Sequence, residues 1–511
     1  MKTNKILILI LGLMTLVGCS DLMEEPIGIL TPEFVFQSKT DVETAVNGAY
    51  AHAINEEMWG RKLSVALMLR SDMVKLQSTQ TRRVEMDTHS ITDDNEMVYD
   101  PWDRMYLGIT AANTAIQGAS VIDEQEDVLN PIVAEAYFIR AFYYFHLVRL
   151  FGDIPYLTEP ITPENRSEFA SVGSTPESDV YQNIIADLEF AEEWLPDTVD
   201  TRARPSKAAA KSYLALVYLT MAGTDNTEYF QLAYDKAKEV IDNKGTYNVD
   251  LDSDFQTLFN ANLIDSSIEP IFALDYNNVE APDNAYDQIS PMTGVRNDDD
   301  DQGWSVAVPS LAVYESFDEG DYRTRVSFQT EATINGTTVD YTNFTISGHQ
   351  HAADRPYIAK YSRYPGAYAR GNKRATSHNY SMMRYAEVLL IAAEAGVEIG
   401  AADAVDFVNE VRGRARNGGS STNGGYVEET IAASATPADL TTVTVDDVLE
   451  ERRIELAFEC KRWYDIKRRQ LGDDVFSATG YEGEISGWDS SVDYDTPIPQ
   501  DEISVNTNLT N

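Results

Sequence analysis

Val133, Tyr137, Arg140, Tyr144, Leu147 and Phe151 recur at alternating steps of four and three residues, which sets them along one face of a helix. Asn130-Pro131 reads as a cap followed by proline at the first helical position, and Gly152 as the stop. Seven aromatics fall between Tyr137 and Phe151. At this spacing they read as core rather than as a surface for stacking sugars. Helices of the same kind are predicted at 41–54, 103–121, 178–194, 207–221, 228–243, 382–399, 402–416 and 445–469. Neighbouring pairs joined by short turns, about 34 residues to a pair, predict helical hairpins of tetratricopeptide type.

Between about 245 and 380 the helical period weakens, Asn, Asp, Gly, Pro, Thr and Tyr accumulate, and 337–346 alternates like a strand. A long irregular stretch set between helices is usually functional. Asn417–Leu440, rich in Gly, Ser and Ala, predicts a mobile surface loop. The fold expected is therefore mostly α: tetratricopeptide-like helical hairpins with an irregular loop and short-strand ligand-binding region.

The amino-terminus reads as an address. Lys2 and Lys5 precede an apolar run of 12 residues, Ile6–Val17, too short to span a bilayer and suited to a secretory signal. It ends in Leu16-Val17-Gly18-Cys19, which resembles the lipobox cut by bacterial lipoprotein signal peptidase. Residues 1–18 are expected to be removed, leaving 19–511 as one domain. Cys19 is expected to carry the lipid, palmitate among its acyl chains, as the only membrane anchor. Ser20–Pro26 is acidic; it resembles the surface-export signal of Bacteroidota lipoproteins, or serves as a solvated linker.

Acids outnumber bases 83 to 40 over 511 residues, a net charge of −43, although the charged fraction of 24% is ordinary. Such a body repels nucleic acid and anionic headgroups, so neither is an expected partner. Two cysteines, Cys19 and Cys460, exclude a disulfide framework and a thiolate zinc cluster. No nucleophile elbow, phosphate loop or zinc-helix motif occurs, so neither cofactor nor metal is expected. Asp298–Asp301 with Gln302-Gly303 resembles a calcium loop, but Pro309 stands at the twelfth position, where such a loop needs glutamate. His349-Gln-His351 has no identifiable partner ligands.

Five segments together resemble the SusD/RagB family of outer-membrane glycan-binding lipoproteins. They are Trp102-Asp-Arg-Met-Tyr106 with Ala112-Asn113; Ala134–Phe145 continued to Phe151-Gly-Asp-Ile-Pro155; and Arg204–Ala209 with Tyr213-Leu-Ala-Leu. The other two are Met383–Leu390 through Ala395 with Asn409–Ala415, and Glu451–Glu459 with Arg462-Trp-Tyr-Asp465 and Pro497-Ile-Pro499. Cys460 departs from the family pattern, which usually has glycine there; on a helix it would share a face with Leu449, Leu456 and Trp463 as a small buried residue. Arg140, Arg384, Glu387, Arg453 and Glu455 read as scaffold.

The resemblance implies a non-enzymatic protein at the cell outer membrane, facing outward. It would bind polysaccharide or oligosaccharide and deliver it to a SusC-like TonB-dependent transporter. The alternatives are a surface glycoside hydrolase or polysaccharide lyase on a helical fold, and a protein-binding helical-repeat adaptor.

Neutral sugar rings are held by aromatic platforms and planar polar groups. Trp304, in the irregular region, is the leading platform; Trp59, Tyr276 and Tyr286 are weaker ones, and Trp102 reads as core. Arg355–Arg374 holds six cations and no acid, with Tyr357, Tyr361, Tyr364 and Tyr368 interleaved. This pattern suits an anionic algal glycan such as ulvan or alginate, or else a basic strand facing acidic scaffold or the transporter. A neutral glucan such as laminarin competes. The glycan-binding set expected is Trp304, Arg363, Tyr364, Tyr368, Arg370, Tyr361, Arg82 and Trp59, with Arg83 a lesser addition.

Overall fold

The computed structural model describes residues 31–276, 286–296, 298–299, 303–344, 355–366, 376–422 and 428–511. Cys19 with the signal segment, Tyr368, Arg370, and the His349/His351 pair lie outside the described residues. The helices that carry the argument are α1 (Lys39–Ala53), α2 (Lys62–Leu69), α3 (Thr81–Asp87), α4 (Glu96–Ser120), α5 (Glu126–Phe151), α6 (Glu177–Trp194) and α7 (Lys207–Ala222). They continue as α8 (Thr227–Asp242), α9 (Ile289–Thr293), α10 (Tyr322–Ser327), α11 (Tyr385–Ile399), α12 (Ala404–Arg416), α13 (Val445–Glu455) and α14 (Arg462–Arg468).

Successive helices pack side by side: α1 on α4, α4 on α5, α5 on α6, α6 on α7, α7 on α8, α8 on α11 and α11 on α12. This is the helical-hairpin array that the periodicity predicts. Every residue of α5 from Phe138 to Phe151 is buried, so this helix is enclosed on all sides. Its one charged group at the middle, Arg140, is matched there: the guanidinium donates to Asp187 at 2.6 and 2.8 Å and to Asn113 at 2.8 Å.

The structure corrects several helix boundaries: the helix predicted at 103–121 begins at Glu96 and runs through Pro101, and three others matter more for the fold. Helix α5 begins at Glu126, five residues before Pro131, so Asn130 is not its cap. Proline at the sixth helical position forfeits one backbone bond. Leu129 and Val133 offset the loss by packing with Val42, Val46 and Phe36. Second, the predicted helix at 382–399 starts as strand β8 (Tyr380–Arg384), paired antiparallel with β2 (Pro270–Leu274), and turns helical only at Tyr385. Third, the predicted helix at 445–469 is broken between α13 and α14. Phe458 and Cys460 both adopt positive φ there, +66° and +59°.

That break explains the glycine usual in the family at position 460. The left-handed region disfavours a side chain, and here the thiol is accommodated in the core, donating to the Ser64 carbonyl at 3.3 Å. The looser 417–440 stretch is likewise more ordered than its composition implies: β9 (Gly419–Thr422) and β10 (Glu428–Ile431) form a hairpin. β5 (Glu331–Ile334) and β6 (Thr337–Asp340) form another, of which only β6 falls in the 337–346 stretch expected to be a strand, and β4 (Phe328–Gln329) pairs antiparallel with β7 (Tyr357–Ile358).

The irregular region is fixed to the helices by buried charge. Arg384 donates to Glu269 at 2.8 Å, Glu455 at 2.6 Å and both oxygens of Glu459 at 2.9 Å. Arg323 on α10 meets Asp321, Glu451 and Glu455, while Arg414 on α12 shares Glu269 and Glu455. Lys360 joins through Glu459 at 2.8 Å, and Arg412 through Glu451 at 2.8 Å. Burial raises the Glu455 carboxyl, but Arg414, Arg384 and Arg323 outweigh it and hold it well below the usual carboxylate range.

The network and the left-handed turn set three stability outcomes. Arg384→Met leaves three buried carboxylates short of their central cation and should cost about 3–5 kcal/mol in chemical denaturation. Cys460→Gly relieves left-handed strain of about 1 kcal/mol while losing a small buried side chain, so its net effect should be within about 1 kcal/mol. Cys460→Val, β-branched at positive φ, should be less stable than Cys460→Gly by about 2 kcal/mol.

Candidate functional site

Trp304 is the one tryptophan of the expected set that reaches the surface. It is half-buried, packed on the main core, while Trp59 is buried. Its position is set by backbone. Gly303 lies so close to Gly294 that a Cβ there would come within 2.0 Å of the Gly294 carbonyl carbon. Only glycine permits that approach. The Trp304 amide then donates to Pro291 of α9 at 2.5 Å, and the Val306 amide to Met292 at 2.9 Å. Beyond it, β3 (Ala307–Val308) pairs antiparallel with β1 (Lys75–Leu76), and the Gln77 amide donates to Val306 at 2.8 Å.

The same short helix gathers the neighbouring polar groups. Arg83 of α3 points its guanidinium at the Met292 sulfur, 3.8 Å away. Burial, with Arg82 and Arg61 nearby, pushes Arg83 down to about 10. On the other side of α9, Tyr286 donates to Glu56, Glu56 holds Arg61 at 2.7 Å, and Arg61 reaches Gln288 at 3.1 Å. Gly60 makes this junction possible: a Cβ there would lie 2.3 Å from the Tyr286 carbonyl, and the Gln288 amide donates to the Gly60 carbonyl at 2.7 Å. Burial and the Glu56 carboxylate push the half-buried Tyr286 phenol up to about 12, so it stays a donor. Arg82 is partly exposed and pairs with Glu96, with Gln80 at 3.1 Å. Trp304 and Arg83 thus meet α9 at Pro291 and Met292, Tyr286 immediately precedes that helix, and Arg82 is the partly exposed cation of α3, whereas Arg83 itself is buried.

Other expected ligands prove structural. Trp59 is buried between His146, edge-on at 5.1 Å, and Tyr380, stacked at 5.8 Å. Tyr276 is buried. Tyr361 is buried, stacked on Tyr380 at 5.6 Å, with its hydroxyl 3.3 Å from the Phe458 carbonyl. Arg363 is buried, and its guanidinium is taken up by the carbonyls of Arg325, Val326 and Phe328 and by Ser421. All four are buried, with the polar atoms of Tyr361 and Arg363 engaged, so they present no surface to a sugar. Tyr364 is half-buried, its carbonyl accepting from Ala261 at 3.0 Å. Trp102 is core, against Phe151 and Tyr106. Asp298 and Asp299 bind Gln329 and the Gly336 amide; the rest of the calcium-like loop, apart from Gly303, lies outside the described residues.

Arg61, Glu56 and Gln288 were not singled out by sequence. Nothing in their local pattern distinguishes them, since Arg61 and Glu56 meet Gln288 and Tyr286 only through contacts more than 200 residues apart.

Residues 338–511 match the SusD family, and residues 23–219 match a family described as starch-binding and associating with the outer membrane. SusD-like protein P2 of Formosa agariphila is 46% identical over 100% of this chain and 99% of its own. The chain belongs to the SusD family. It is accordingly a non-catalytic, glycan-binding protein associated with the outer membrane, which sets aside the hydrolase, lyase and adaptor alternatives. Solved SusD relatives share the fold. A SusD superfamily protein of Parabacteroides distasonis superimposes with TM-score 0.75 at 24% identity, over 93% of this chain and 98% of that one. A laminarin-binding SusD-like protein does so with TM-score 0.73 at 23% identity, over 92% and 98%. No helix among the described residues is long and apolar enough to cross a membrane.

The Tyr286–Gln288 junction also carries a titration. Asp287 is buried, accepting from Thr376 and from the Ile289 amide at 2.8 Å; burial outweighs these bonds and pushes it up to about 7. The folded chain therefore keeps a proton that the unfolded chain releases near pH 4, so stability falls as pH rises from about 4 to 7. Asp287→Asn should flatten this fall by up to about 2–3 kcal/mol between pH 5 and 8, read from denaturation midpoints at constant salt. Glu482, also pushed up to about 7 by burial, keeps a residual slope of the same sign in both proteins.

Proposed function

We propose that this chain is a lipid-anchored surface receptor that captures polysaccharide on the Trp304 face and hands it to a SusC-like TonB-dependent transporter. The observation that carries the reading is Trp304 itself: a partly exposed indole whose backbone is fixed by the Gly303–Gly294 contact, with Tyr286 just before α9 and Arg82 on α3. A fixed aromatic face binds a sugar ring without ordering cost, and flanking planar groups select its hydroxyls. Cys19 is the anchor and places the domain 19–511 outside the cell, in keeping with family members associated with the outer membrane. The region 245–380 supplies most of the ligand face.

For the ligand itself, two readings have support. An anionic algal glycan such as ulvan or alginate would use Arg355, Arg370, Lys373 and Arg374, with Tyr364 and Tyr368 stacking, since Arg82 is already paired with Glu96. Lys360 and Arg363 are withdrawn from that surface by burial. A neutral glucan would need only the aromatic platform, and the laminarin-binding relative favours it.

Titration calorimetry of the detergent-solubilised full chain against ulvan, alginate and laminarin tests both. One class should bind, and Trp304→Ala should weaken it at least tenfold, about 1.4 kcal/mol. Equal binding by the Trp304→Ala protein would remove this face from the proposal.

A further inference from the structure

A second cleft, of about 560 Å³, opens where α5 ends, α6 begins and α14 crosses them. It shares no residue with the Trp304 face, and its volume is that of a small-molecule site. Arg149 lines it, 94% buried by its 6% exposure. The guanidinium is sandwiched 3.7 Å from the Phe145 ring and 3.7 Å from the Tyr464 ring. Nε donates to the Phe145 carbonyl at 2.9 Å and Nη2 lies 3.1 Å from His146 Nδ1. Burial and the Arg149 charge hold His146 well below its ordinary value, so that ring is neutral and balances nothing.

The two other cations lining the cleft are matched. Arg468 meets Glu394 at 2.6 Å and Asp465 at 2.8 Å, and Lys467 meets Asp495 at 2.5 Å. Among the described residues Arg149 makes no ion pair, and its side-chain hydrogen bonds run through Nε and Nη2, leaving Nη1 for an incoming group. Glu387 acts on this guanidinium only from a distance, so its burial is costly, and a carboxylate arriving from outside would make a strong charge-assisted bond there.

The walls narrow the choice of anion. Glu177 and Asp495 also face the cleft, which disfavours a doubly charged phosphate. Burial raises Glu177, so its carboxyl gives up charge readily as an anion approaches. Ser178, Ser490, Ser491 and the edges of the largely buried Tyr181 and Tyr494 complete the lining; the Ser490 and Ser491 hydroxyls donate to Asp473 at 3.1 Å and Asp489 at 2.6 Å and keep lone pairs to accept from a sugar hydroxyl.

We propose that this cleft binds a uronic-acid unit, its carboxylate on Arg149 and its ring between the tyrosines and the serine rim. The inference rests on the glycan-binding reading and deepens it by naming a charged sugar and a second place to hold it. The probes are sodium D-glucuronate, D-glucose and sodium acetate, titrated into the detergent-solubilised full chain and followed by saturation-transfer NMR. Glucuronate should bind while glucose and acetate bind at least tenfold more weakly. Arg149→Met should weaken glucuronate at least tenfold. Val492→Trp, at an exposed rim position that leaves the Arg149 contacts intact, should do the same while polysaccharide retention stays at the wild-type level. Should Arg149→Met fail to fold, Val492→Trp decides alone. The proposal is overturned by absent glucuronate binding, by equal binding of glucose or acetate, or by a Val492→Trp protein that binds glucuronate normally. If polysaccharide is still retained in any of those cases, the cleft proposal falls and the Trp304 reading stands.

Discussion

Arg384 sits where strand β8 gives way to helix α11, and four elements depend on its charge. It reaches Glu269 before β2, Glu455 at the end of α13 and Glu459 inside the α13–α14 break, while Lys360 and Arg414 share the same carboxylates. With Arg323 and Arg412, five cations meet Glu269, Asp321, Glu451, Glu455 and Glu459, five acids. The balance matters because an odd charge in this interior would carry a desolvation penalty of several kcal/mol. The network adds specificity more than net stability: a slipped strand or an unbroken α13–α14 helix would strand a charge. The β8 strand and the left-handed turn at Cys460 are consequences of meeting that condition.

A second set works in the same way among the later helices. Arg452, Lys461, Arg468 and Arg469 meet Glu387, Glu394, Glu398 and Asp465. Both sets are neutral by count, so the whole net charge of −43 lies outside them. The exterior is therefore poorer in cations than the composition alone implies. An acidic ligand approaching this body meets repulsion nearly everywhere and can be held only where a cation is spared from structural pairing.

The hairpin array was legible because helical periodicity is local information, and α5 to α8 follow it closely. The misread boundaries lie where distant charges overrule local pattern. Residues 380–384 have the composition of a helix start, but Arg384 pairs 115 residues away with Glu269. The basic, tyrosine-rich stretch was a genuine excess of cations, yet composition cannot tell a cation facing solvent from one whose acid is 99 residues further on, as for Lys360 and Glu459. Trp304 could be singled out by its setting in the irregular region. Arg61, Glu56 and Gln288 could not, because only the Gly60 approach brings their segments together.

This division between structural and spare cations bears on how the two candidate surfaces differ. At the Trp304 face, Arg82 and Arg61 already hold Glu96 and Glu56, so their positive charge is largely spent and the indole and phenol remain as the contact. Such a face selects by shape and stacking, and its binding should change little with salt. At the second cleft, Arg149 is buried against two rings and keeps its charge unspent. Recognition there depends on one carboxylate entering a low-dielectric site, which discriminates sharply between a neutral sugar and its acid. A polymer bearing both kinds of unit could be read by stacking at one surface and by charge at the other.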